Sequence, residues 1–344
     1  MVSKKERKRR ARKIPDWYLR GMISGSKPRE FLAHLALMIW QTWVTLLLLG
    51  GLLVGRRLSA QPFGLWDWFL IVLLILPLLL SLIPFITSNV ETKAGMLAVR
   101  AQWEQLLWYL PKYYKAVSKG LGEPRAELAT RTWNGKALVK LDRADEAIEQ
   151  LEPLREMDGL SEADYLMARV QVLMAMDDYE LAREEAQMLL ESEPDRVEGW
   201  GAICELESLF FSNPQGARLA LDHAVTLKTW KNLGPAGDYL HGITLAAEDE
   251  HAQALDRLRP FRRWAKAFGS QVPTAWQLWA AAGCVMAESH QALGEHDTAD
   301  QILSDTRTEL QQLGLLGALE NFETYLHRQS RLESAHTDQP SPSE

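Results

Sequence analysis

Cysteine is nearly missing from this chain of 344 residues: only Cys204 and Cys284 occur, in separate segments, with no Cys or His at metal-ligand spacing beside either. That excludes a disulfide framework and a thiolate zinc module, and makes buried thiols in a reducing compartment the expectation. There is no Gly-rich phosphate loop, no GxSxG elbow and no HExxH helix, and the eight histidines are scattered. His290 and His296 flank one turn, while His223 and His241 fall in different segments. Without a nucleophile–base pair or a ligand cluster, no enzymatic activity, metal or cofactor is expected. Acid pairs such as Asp177–Asp178 and Glu184–Glu185 fall where turns and exposed helix faces are expected, and solvation accounts for them.

Positive charge is scarce over most of the chain. The net charge is -7, yet the first thirty residues hold eleven Lys/Arg against three acids. The body from residue 91 onward therefore carries -16. Such a body repels a phosphate backbone, so nucleic acid is not an expected partner.

Long apolar runs are what the N-terminal quarter does have. Residues 31–54 contain no Asp, Glu, Lys or Arg, and residues 66–87 contain only Asp67. Each is long enough to cross a hydrocarbon core as a helix. Pro77 and Pro84 would kink the second, and Trp66 and Trp68 suit an interfacial aromatic belt. The basic segment 1–30 should stay cytoplasmic, where it also gains attraction to anionic lipid. Two spans then return the chain, so the expectation is a two-pass protein, of the bacterial inner membrane type, with both termini cytoplasmic. The first run is too long for a signal peptide, and no small-residue cleavage pattern closes it.

The remaining sequence repeats. Arg143–Ala147, Asp178–Ala182, Pro214–Ala217, Glu250–Ala254 and Glu295–Ala299 look like five copies of one turn, at intervals of 35, 35, 37 and 45 residues. The long last interval implies an extended helix or an insertion near Phe268–Thr274. Around the first turn, Trp133, Ala137, Leu138 and Leu141 recur at helical spacing, as do Ala147, Ile148, Leu151 and Leu154. An alanine closes every copy where two helices would cross closely, and Gly135 and Gly242 stand twelve residues before theirs. Pro194 ends the second unit.

These features resemble the tetratricopeptide repeat (TPR) family: a small residue at the eighth place (Gly135, Gly242), an aromatic before the second helix (Tyr179), alanine at the twentieth, and a closing proline (Pro194). The resemblance covers about residues 126 to 310. Residues 128–159 and 163–194 match best; the third copy departs with Glu205 at the small place and the fifth carries Ala287 there. The implied fold is all-α: two transmembrane helices followed by an α-solenoid of helix–turn–helix repeats over 126–333. Residues 91–125 carry an amphipathic helix that stops near Pro111, and are either a degenerate capping repeat or an interfacial helix. Leu315–Arg331 suits a terminal capping helix, and 334–344 is a disordered tail by composition.

By that resemblance the inner helices line a groove for a partner protein, formed by Lys136, Lys140, Met167, Gln171, Met174, Leu206, Phe210 and Tyr239. The Met-rich centre suits adaptable apolar contact. The Asn/Lys set that grips a C-terminal carboxylate in chaperone-binding members is not reproduced, since Thr132 and Ala168 stand in its place. A second candidate is the run Arg257, Arg259, Arg262, Arg263 and Lys266, interleaved with Phe261 and Trp264. It is either a docking patch for an acidic segment or anionic lipid, or a solvated face paired with acids. The expected function is a membrane-anchored scaffold that binds partner proteins. The alternative is a structural or assembly subunit recognised through its hairpin, where Gly50–Gly51 would allow close helix packing.

Overall fold

Two residues before the second helix of every pair, the backbone turns left-handed. The residues are Asp142, Asp177, Ser212, Asp249 and Gly294, with φ of 58°, 61°, 49°, 61° and 78°. Gly adopts this conformation without cost and Asp tolerates it better than most, because its short side chain bonds locally. In four of the five turns the following N–H reaches five residues back: Arg143 to Leu138 O, Asp178 to Leu173 O, Glu250 to Leu245 O and Glu295 to His290 O, at 2.8–3.1 Å. This is the bond that satisfies otherwise orphaned carbonyls at a helix end. The spacing of these turns is the sequence repeat seen as geometry.

The computed structural model describes residues 90–269 and 271–337. Among them every regular element is helical. In chain order the α-helices are α1 (90–99), α2 (Trp103–Leu121), α3 (Glu123–Val139), α4 (Ala144–Glu149), α5 (Glu162–Ala175), α6 (Tyr179–Ser192) and α7 (Val197–Leu209). Then come α8 (Pro214–Thr226), α9 (Pro235–Ala247), α10 (His251–Phe268), α11 (Ala275–Ala292), α12 (His296–Gln312) and α13 (Leu316–Thr337). Consecutive helices pack on one another, and first helices of neighbouring pairs also touch, as α3 does α5 and α9 does α11. That is the arrangement of a helical-repeat solenoid.

Close crossing inside each pair depends on the predicted alanines. Ala147, Ala182, Ala217, Ala254 and Ala299 are all fully buried. Gly242 serves the same end, since a Cβ there would lie 2.5 Å from Leu258 Cδ2, whereas Gly135 admits the next pair, its Cβ position lying 2.8 Å from Val172 Cγ2 of α5. The long last interval comes from α10 and α11, each an 18-residue helix, and not from an insertion between them.

One open alternative narrows and two local expectations change. Residues 91–125 form a helix pair with the same turn, since Ala101 has φ of 56°, Gln102 N bonds Leu97 O, and Leu106 fills the alanine position with no exposure. Second, α2 does not stop at Pro111 but runs on to Leu121, because Pro111 is on the solvent side while Leu106, Tyr109, Leu110, Tyr113 and Val117 bury the other face against α3. Third, α4 ends at Glu149. Pro153 converts the next turn to a 3-10 helix (Glu152–Leu154), which still buries Leu151 and Leu154. At the far end α13 extends helix over Ser334–Thr337, the first residues of the expected tail.

The basic segment, both apolar spans and residues 338–344 lie outside the described residues. No described helix is long and apolar enough to cross a membrane.

The two ends of the array meet. Thr92 Oγ1 in α1 donates to Gln271 O in the loop before α11, at 3.0 Å. On the α13 side, a Cβ on Gly317 would lie 2.4 Å from Ala98 O, so the backbones of α13 and the α1–α2 turn touch directly.

Candidate functional site

The first helices α3, α5, α7 and α11 line an inner groove, and α13 lies across it. Glu320 Oε1 accepts from Lys140 Nζ at 3.3 Å. Eight residues on, Arg328 Nη2 donates to Phe210 O at 3.0 Å. The Arg328 guanidinium also faces a stacked pair of rings, Tyr179 and Phe210, whose centroids are 3.9 Å apart; it is 4.4 Å from the first and 5.0 Å from the second. Tyr179 is fixed in turn by donating its hydroxyl to Asp177 Oδ1 at 2.6 Å. Burial, and then Asp177, push the Tyr179 phenol well above its ordinary value. A neutral ring pair under a guanidinium is a favourable cation–π site.

Beneath α13 remains a cavity of about 360 Å³, in the range of ligand pockets. Trp103, Trp133, Met174 and Leu209 give it apolar walls, and α13 contributes Asn321, Phe322, Thr324, Tyr325 and Arg328. Lys136 and Glu205 also line it, each bonded to a neutral side chain. Lys136 Nζ donates to the neutral Gln171 Oε1 at 2.7 Å and stands 5.5 Å from the Trp133 ring centre. Burial pushes its ammonium down to about 8. Glu205 accepts from Tyr239 Oη at 3.1 Å; burial pushes its carboxyl up, and that hydrogen bond offsets part of the rise.

Of the residues predicted to line the groove, Lys136, Lys140, Gln171, Met174 and Phe210 border this cavity. Three do not. Leu206 is fully buried in the core between pairs with Leu173, Tyr179 and Ala182. Tyr239 is buried under Glu205 with its ring 5.1 Å from Phe261. Met167 is half-buried, one turn of α5 before Gln171 and outside the cavity lining. The pattern missed Glu205, although its departure from a small residue was visible, and missed Phe322, Tyr325 and Arg328. Their three-residue spacing, which puts them on one helix face, was the available signal.

The run of cations on α10 is not a single patch. Phe261 is core. Arg262 turns inward: its guanidinium covers the Trp279 ring at 4.3 Å, its Nη2 donates to Thr306 Oγ1, and burial pushes it down to about 10. Gly283 makes room, since a Cβ there would lie 2.9 Å from Thr306 Oγ1 and 3.2 Å from Arg262 Nη2. Arg257 pairs with Asp238 at 3.4 Å, Arg259 with Asp256 at 3.9 Å and Lys266 with Glu309 at 2.6 Å. Arg263 is exposed. These pairings favour the solvated-face alternative. Cys204 and Cys284 are buried free thiols; Cys204 Sγ is 3.1 Å from Thr244 Oγ1, and burial pushes that thiol up to about 11.

No protein-family model matches this chain, and no curated protein matches it either.

Proposed function

We propose that this chain is a membrane-tethered scaffold of the tetratricopeptide type, non-catalytic, whose inner groove receives a helix from a partner protein on the cytoplasmic face of a bacterial inner membrane. The observation that carries it is that the groove already holds a helix. Side chains from three successive pairs, Lys140, Tyr179 and Phe210, grip α13. The 35-residue period and the small residues at helix crossings support the family part of the reading. The apolar segments 31–54 and 66–87 behind a basic leader support the tether. So does the outer face of α2, where Trp108 is 71% exposed, Lys112 stands 4.2 Å over its ring, and Lys115 and Lys119 continue the exposed stripe. Tethering would raise the effective concentration of a weak groove ligand near the bilayer.

A photo-crosslinking amino acid at Met174 of the full chain, expressed in cells, tests the groove. A discrete crosslinked protein is expected from the membrane fraction, and it should vanish when Lys136→Glu, Lys140→Glu and Phe210→Ala are combined. A crosslink that persists through those changes rejects the groove as the site.

A further inference from the structure

We infer that α13 is a displaceable stand-in for the partner helix, and that the partner carries its array (an acid, then Phe, Tyr and Arg at three-residue spacing) with one further acidic side chain for Lys136. The inference rests on the groove reading above and specifies the chemistry of its ligand.

A helix that merely capped the solenoid would cover the last pair and stop there. α13 does pack on α11 and α12, where Arg307 bonds Glu323 at 2.6 Å and lies 5.7 Å from the Phe322 ring. It also reaches Lys140, 180 residues earlier, and Phe210, 118 residues earlier. Those distant contacts engage the turn ends of α3 and α7. Between those contacts the fit fails, and the 360 Å³ cavity lies there, with Lys136 and Met174 on its groove side and Asn321 and Thr324 on the α13 side. A groove matched to its helix would be filled, because each unfilled wall forfeits its dispersion contacts.

The chemistry is incomplete at the same place. Lys136 has a neutral amide as its bonded partner, whereas α13 offers the short neutral side chains of Asn321 and Thr324 to the cavity. Asn321 follows Glu320, whose carboxylate sits on Lys140, one turn of α3 from Lys136. A helix with Glu in place of Asn321 would bring a carboxylate to the uncompensated ammonium. Such a charge-assisted bond is about twice as strong as a neutral one. The chain's own helix therefore holds the groove with part of the affinity that a matched helix would have.

The test uses the full chain in detergent and a fluorescein-labelled synthetic peptide of the sequence Leu315–Arg331, with an Asn321→Glu analogue. A chain carrying Glu320→Lys and Arg328→Ala should bind the parent peptide at least tenfold more tightly than the unmodified chain, because the resident helix no longer competes. The analogue should bind at least threefold more tightly than the parent, and Lys136→Met should remove that gain. If the altered chain keeps its helical circular dichroism yet binds neither peptide, α13 is a fixed part of the fold and the inference is wrong. An analogue that shows no gain, or a gain that survives Lys136→Met, overturns the acidic part. Hydrogen exchange on the unmodified chain is independent of these variants: α13 amides should exchange at least tenfold faster than those of α11 and α12, and exchange at one common rate overturns displaceability. Peptide binding without a cellular crosslink at Met174 would reject the scaffold function and the partner helix with it, and leave the displaceability of α13 standing. A groove-dependent crosslink without peptide binding would do the reverse.

Discussion

Arg328 donates to the main-chain carbonyl of Phe210 at 3.0 Å and covers the ring of the same residue at 5.0 Å. Phe210 caps the C-terminus of α7, where unsatisfied carbonyls and the negative end of the helix dipole attract a cation. One guanidinium thus satisfies a helix end, an aromatic pair and the attachment of α13.

Replacing Arg328 by Ala should therefore cost more than an ordinary surface substitution. A hydrogen bond from a charged donor contributes about 1.5–3 kcal/mol and a partly exposed cation–π contact about 0.5–1 kcal/mol. A loss of about 2 kcal/mol in the opening free energy of α13 is expected, measured by native-state hydrogen exchange. Lys should rescue less than half, because an ammonium cannot bond the carbonyl and lie flat on both rings.

The inter-helix turns lead to a paired prediction. Asp142 and Asp177 both hold left-handed φ, so Gly at either position relieves backbone strain. Asp177 also accepts from Tyr179 Oη, whereas Asp142 is exposed. Asp142→Gly should leave stability unchanged or raise it by up to about 1 kcal/mol. Asp177→Gly should lower it by about 1 kcal/mol, because the Tyr179 hydroxyl loses its acceptor. Denaturant melts of the two variants side by side check the sign difference.

The repeat was legible because it is local. An alanine at a fixed offset from a turn and a short polar residue at the turn are dictated by contacts within about 35 residues, and five of five alanines are buried accordingly. Leu206 and Tyr239 were misplaced because a helix face turned toward the groove and a face turned toward the next pair differ by one residue, about 100°. The seating of α13 was invisible for a different reason. It depends on how far the array curves before its ends meet, and that is the sum of many small pair-to-pair rotations rather than any single motif. The cation run on α10 misled because charge in sequence says nothing of direction: Arg262 points into the core beside Thr306, while its neighbours point out to acids.

Acid sensitivity should trace to Asp164. This carboxylate is 2% exposed and accepts from Arg125 Nη1 at 2.7 Å, Arg196 Nη2 at 2.7 Å and the Ser161 backbone at 3.2 Å. Burial alone would raise its pKa, yet the bonds from Arg196, Ser161 and Arg125 outweigh burial and hold it below the ordinary value. A depressed folded pKa contributes stability that is complete above the unfolded value, about 3.9, and is lost as pH falls through the folded one. Asp164→Asn should cost about 1–2 kcal/mol near neutrality, since the amide oxygen replaces two charge-assisted bonds with weaker ones, while Arg125 is half exposed and Arg196 keeps Glu193. It should also flatten the decline of melting temperature below about pH 4.

Lys136 has the opposite sign. Its folded pKa of about 8 lies below the ordinary lysine value of 10.5, so between those limits the unfolded chain binds more protons than the folded one. Stability then rises with pH across that window, and below pH 8 the folded protein carries the whole cost of a charged, uncompensated ammonium. One pKa unit corresponds to about 1.4 kcal/mol, and relaxation of the cavity around the charge trims the total, so Lys136→Met should gain about 1–3 kcal/mol at pH 7. The same substitution should abolish the rise between pH 8 and 10.5 in urea melts. A variant that is less stable than the unmodified chain at pH 7, with the alkaline rise intact, would show that Lys136 is already compensated in the groove. Saturating peptide with Glu at the Asn321 position should remove the alkaline rise from the unmodified chain as well, because a bound carboxylate raises the ammonium back toward its ordinary value.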